Sequence, residues 1–148
     1  MIPLRVLALT LLAVGGAAAC ITPSQRRVDS LNKTAREFND GLRWGREDQV
    51  MSCLSPEEGR ALRARRADLG DELVIADHEV KSIQVAPGAD TATVVAEFSW
   101  FTQHRNVVEK TTLEETWTWS ENHWTVTDQR RIGGDRFPLV PEHAEAKR

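Results

Sequence analysis

Glu115, Asp128 and Arg130 come nearest, by type and spacing, to a reacting group in this chain. Pairing alternate residues across a tight turn at Glu121-Asn122 puts Glu115 opposite Asp128 on the inward face of a sheet, with Arg130 one step away. Adjacent acids in a mostly apolar wall have their pKa values driven apart, which is what acid–base chemistry needs. The simpler expectation is that this end of the sheet protrudes past its covering helices and that Arg130 or Arg131 neutralises the acids, so that neither titrates abnormally. A register slip of one residue would abolish the juxtaposition.

Other reactive groups are sparse. His78, His104, His123 and His143 are widely separated and fall on a strand, two loops and the tail, a poor basis for a metal site. No GxSxG, HExxH, P-loop or Rossmann fingerprint occurs, so no cofactor is implied. Cys53, in "QVMSCLSPEE", reads as a small buried residue, because no nearby cation or helix N-terminus lowers its pKa. Arg60, Arg63, Arg65 and Arg66 cluster between acids and read as a solvated helix face. With no basic stripe or patch, nucleic acid is not an expected partner.

The elements that must position these groups follow from periodicity. Val28, Leu31, Ala35, Phe38 and Leu42 recur at steps of three and four, one apolar helix stripe with Gly45 as its stop. A short helical piece covers Glu47 to Leu54. Then "SPEE" supplies Ser55 as N-cap, Pro56 at the first helical position and Glu58 for a capping box, opening a helix that ends near Gly70. Beyond Leu73 the period becomes two, and turn-like breaks at 87–90, 103–106 and 121–122 leave strands at about 74–85, 91–102, 107–120 and 124–132. Helices followed by a meander predict an α+β domain with N-terminal helices packed on a curved four-stranded antiparallel sheet.

Tight hairpin registers put Ile83, Val85, Ala92, Val94, Ala96 and Phe98 on the core face. The same face takes Trp100, Leu113, Trp117, Trp119, Trp124 and Val126. Thr93, Thr112, Thr116, Thr118, Thr125 and Thr127 share the wettable face. Trp100, Trp117, Trp119 and Trp124 are therefore core residues first and ligand-lining candidates second, and Trp44 at the end of the long helix is expected to pack. After "IGGD", residues 133–148 read as loop or disorder.

The N-terminus carries a different signal. Arg5, nine residues from Val6 to Val14 and then small residues form a secretory signal, since spanning a bilayer takes about 20. Ala17, Ala18 and Ala19 lead into Cys20, which resembles the lipobox of bacterial lipoproteins, although Ala17 stands where Leu is usual. That resemblance implies cleavage of residues 1–19, acylation of Cys20, a tether over 20–27, and anchoring by two or three acyl chains. Ile21, where Asp would signal inner-membrane retention, favours the outer membrane facing the periplasm. The mature chain would have 129 residues, 18 basic and 22 acidic, with a net charge of −4. Cys53 would then have no disulfide partner.

Residues 28–132, through "AREFNDGLRWGREDQVMSCLSPEE" and the Trp-rich strands, resemble the NTF2-like (cystatin-like cone) superfamily, in a branch of small bacterial lipoproteins without assigned activity. Such cones hold a ligand, a catalytic site or only a core, so the fold does not select the function. Enzymes of the superfamily such as the ketosteroid isomerases pair an acidic base with tyrosine or a second acid, and this chain has no tyrosine. The expectation is a non-catalytic, lipid-anchored envelope domain that binds a protein partner, a second copy of itself or a hydrophobic ligand. The alternatives are a small-molecule enzyme using Glu115 and Asp128, and an accessory subunit of an outer-membrane assembly complex.

Overall fold

The computed structural model describes residues 23–141 except Pro87; the signal region, Cys20 and His143 lie outside the described residues. Three helices, α1 (Pro23–Trp44), α2 (Glu47–Met51) and α3 (Pro56–Leu69), precede four strands, β1 (Leu73–Val85), β2 (Thr91–Thr102), β3 (Glu109–Ser120) and β4 (His123–Gly134). The strands form one antiparallel sheet in the order β1-β2-β3-β4. This is the α+β meander with helices on one face that the sequence predicts.

Local chemistry accounts for the boundaries. The apolar stripe of α1 is buried at Leu31, Ala35, Phe38 and Leu42. The Ser55 hydroxyl accepts from the Glu58 amide at 3.2 Å and the Glu58 carboxylate accepts from the Ser55 amide at 3.1 Å, closing the expected capping box. Glu121 and Asn122 both adopt positive φ, the backbone twist that matches a tight β3–β4 hairpin. Gly41 lets α2 lie against α1, because a Cβ there would come within 2.7 Å of Val50.

Several expectations change. The supposed tether at 20–27 belongs to α1 from Pro23 onward, and Trp124 Nε1 donates to the Arg27 carbonyl at 3.1 Å. Trp44 is 60% exposed, with the Arg43 guanidinium 4.7 Å from its ring centroid, because it follows the last buried turn of α1. Val107 and Val108 are exposed ahead of β3 rather than part of it. The arginine cluster is not wholly solvated. Arg66 donates to the Leu42 carbonyl at 2.7 Å and Arg65 Nε to the Leu139 carbonyl at 2.8 Å, so two of its members tie α3 to α1 and to the C-terminal segment.

That segment is the largest departure. Residues 135–141 are loop, as expected, but Phe137, Leu139 and Val140 are buried. Phe137 stacks on Phe98 at 4.9 Å between centroids and leans on Trp100 at 5.9 Å. Gly134, at φ 74°, turns the chain from β4 into this strap where any Cβ would collide with the Lys110 carbonyl. The strap backbone is then held by Asp135 N donating to the Lys110 carbonyl and Thr111 Oγ1 donating to the Asp135 carbonyl, each at 2.7 Å.

Phe137→Ala should therefore lower stability by about 3–5 kcal/mol, as Trp117→Ala should, while Thr118→Ala on the open face should cost under about 0.5 kcal/mol. Urea denaturation midpoints check this; a silent Phe137→Ala would mean that the strap adds nothing to the core.

Candidate functional site

Glu115 occupies the middle of β3, whose inward residues run Leu113, Glu115, Trp117 beneath α1. Its side chain is fully buried. Trp117 Nε1, two residues along the same face, donates to Oε2 at 3.0 Å. Asn39, beside the apolar stripe of α1, donates through Nδ2 to Oε2 at 3.5 Å and to the Ala35 carbonyl at 2.9 Å. Gln129 Nε2 on β4 donates to Oε1 at 3.4 Å. All three partners are neutral.

The expected pair of acids does not form. A bulge at Thr127 makes Trp117 pair with Val126 but Thr116 with Asp128, so Gln129 and not Asp128 lies across from Glu115. Arg130 pairs with Glu114 on the other face, through contacts of 2.6 and 2.8 Å, and no cation among the described residues pairs with Glu115. The expectation of solvated or arginine-neutralised acids therefore fails for Glu115. Burial pushes its pKa up from an ordinary 4.5 to about 7, and the hydrogen bonds from Trp117, Asn39 and Gln129 only partly oppose that rise.

A carboxyl that titrates near neutrality is suited to general acid–base work, but it needs a path to substrate. Glu115 is fully buried, and its partner Trp117 packs edge-on against Phe38 at 5.4 Å. A hollow of about 140 Å³ between α3 and β4 is lined by Asp128, Gln129, Arg65 and Pro141, and its Gln129 is the residue that donates to Glu115. Asp128 thus marks the hollow rather than a dyad.

The four indoles lie on the core side of the sheet. Trp100, Trp117 and Trp124 are buried, and Trp119 is partly buried against Trp124 at 5.3 Å with the Arg27 guanidinium 5.5 Å above its ring. Trp100 Nε1 donates to Thr111 Oγ1 at 2.9 Å. Cys53 is buried as expected, and burial pushes its thiol pKa up. His78 bonds Asp40 at 2.9 Å and His104 bonds Glu72 at 2.8 Å. Among the described residues no group of His, Cys, Asp or Glu is arranged to hold a metal. Asn39 and Gln129 were not legible as site residues: Asn39 adjoins a helix stripe that reads as pure core, and Gln129 faces inward only because of the bulge.

The raised pKa has a definite consequence for stability. The folded state holds the Glu115 proton more tightly than the unfolded chain between pH 4.5 and about 7. The contribution is therefore complete below pH 4.5 and is lost as pH rises through 7, about 3 kcal/mol in all. Glu115→Gln, which mimics the neutral acid, should gain stability relative to wild type by about that amount across the window. Paired denaturation curves from pH 4 to 8 read the difference directly, and a difference independent of pH would refute the assignment.

No family model matches the chain, and no curated protein matches it at a significant level. Among solved structures, the intermembrane space region of the chloroplast protein ARC6 is similar over 74% of this chain and 96% of that one, at 16% identity and a TM-score of 0.43.

Proposed function

We propose that the protein is a lipid-anchored domain of the cell envelope that acts without catalysis, through a protein partner. The filled interior carries the non-catalytic part: Phe38, Phe98, Trp117 and Phe137 occupy the space between helices and sheet, and the one carboxyl tuned near neutrality is sealed among them. The same filling disfavours a hydrophobic ligand on Trp100, Trp117, Trp119 and Trp124. The anchor rests on sequence. The Ala17-Ala18-Ala19-Cys20 junction after a short apolar run supports acylation of Cys20, and Ile21 supports the outer membrane facing the periplasm. An outer-membrane assembly complex is one form such a partner would take.

Catalysis is the second reading, and the Glu115 pKa near 7 is the observation in its favour. It requires Gln129 to swing aside so that the hollow beside α3 reaches the carboxyl.

Cys20→Ala should abolish metabolic labelling with palmitate and leave the precursor unprocessed; labelling at wild-type level would disprove the anchor. Cross-linking in intact cells, followed by isolation from detergent-solubilised membranes, should yield the same partner with Glu115→Gln as with wild type. Loss of that partner in a folded Glu115→Gln protein would move the function to the buried acid.

A further inference from the structure

The hydrogen bonds around Glu115 fit one of its protonation states and not the other. Trp117 Nε1 and Asn39 Nδ2 donate to Oε2 at 3.0 and 3.5 Å, and Gln129 Nε2 donates to Oε1 at 3.4 Å. Three donors suit a carboxylate, which only accepts. Glu115 is shut off from water, so the O–H of its acid form must find an acceptor within the protein.

The two oxygens differ in what they already hold. Oε2 takes two donors and Oε1 one, so a proton is accommodated at lower cost on Oε1, where it meets the Gln129 N–H, donor against donor. The Trp117 indole has no acceptor to offer. Asn39 has one, the buried Oδ1 that receives no donor, but the Ala35 carbonyl holds Nδ2 at 2.9 Å, and reversing that amide would set its oxygen against this carbonyl. Gln129 is held less closely to Glu115, since 3.4 Å lies beyond the usual range for an N–H···O bond. Half a turn of its amide converts the clash into an O–H···O bond. Gln129 also lines the hollow between α3 and β4.

The charges around this cluster are engaged elsewhere or lie across the hollow. On α1, Glu37 pairs with Lys33 and Asp40 bonds His78. β2 sets Val94 opposite Glu115. On β4, Arg130 is bound to Glu114, and Asp128 lines the hollow together with Glu58 and Arg65 of α3. After α2, burial chiefly and the charge of Glu115 in addition hold the Cys53 thiol in its protonated form. Burial, partly opposed by the three hydrogen bonds, brings the Glu115 pKa to about 7, so both forms are populated around neutral pH.

We propose that Gln129 is a proton-operated relay between Glu115 and the hollow. It turns its N–H toward the ionised carboxyl and its carbonyl toward the protonated one, so uptake of one buried proton changes the group offered to the hollow from acceptor to donor. Recognition at the hollow then responds to pH through a carboxyl that does not line it. The relay holds whether the domain works through a partner or through catalysis.

Side-chain NMR of the isotope-labelled full chain in detergent, from pH 4 to 9, tests it. The Gln129 side-chain carbonyl carbon and amide signals should shift with the same midpoint as the Glu115 carboxyl carbon, about pH 7, and should stop titrating in Glu115→Gln. In Gln129→Met the Glu115 midpoint should stay within about half a unit of wild type, because the lost amide served both forms. A Gln129 that only donates to the carboxylate would leave that midpoint raised by about one unit, which overturns the relay. A Gln129 amide that stays still while Glu115 titrates would overturn it too, as would a Glu115 midpoint at the ordinary 4.5. A larger shift at the Asn39 amide than at Gln129 would place the proton on Oε2 and exclude the relay. These last three outcomes are read from the wild-type chain and do not depend on either variant folding.

Discussion

The edge-to-face contact between Phe38 and Trp117 joins α1 to β3 within the core. Trp117 brings a polar atom into that contact, since a buried indole N–H needs an acceptor. Glu115 supplies it. The same carboxyl receives Asn39 from α1 and Gln129 from β4, so one side chain satisfies donors from three elements. The arrangement costs desolvation, and the protein meets it by holding a proton on Glu115 up to about neutral pH. Burial in that packing is the largest cause of the raised Glu115 pKa.

The other indoles extend the same logic to the two ends of the described chain. Trp124 donates to a carbonyl near the start of α1, and Trp100 reaches the strap through the Thr111 hydroxyl, which donates onward to Asp135. Buried aromatic area and its obligatory hydrogen bonds thus draw both ends of the described stretch into one core. With that core filled, the surfaces open to recognition among the described residues include the small hollow beside α3 and the open threonine-rich face of the sheet.

The helices, the four strands and the faces of Phe98, Trp100, Leu113 and Trp117 were legible in the sequence because periods of 3.6 and 2 follow directly from backbone geometry. The Ser55 capping box and the Glu121-Asn122 turn were equally local. Tertiary structure decided what period alone leaves free. A single extra residue at Thr127 exchanged Asp128 for Gln129 opposite Glu115, and a bulge of that kind leaves no mark in the alternation of residue types. The burial of Phe137 and Leu139 was likewise invisible, since a short apolar pair in a Pro- and charge-containing segment has no period, and only the open end of the sheet determined that it would be covered. Arg65 and Arg66 became clamps for the same reason: the carbonyls they bond belong to segments more than twenty residues away, brought within reach by the fold.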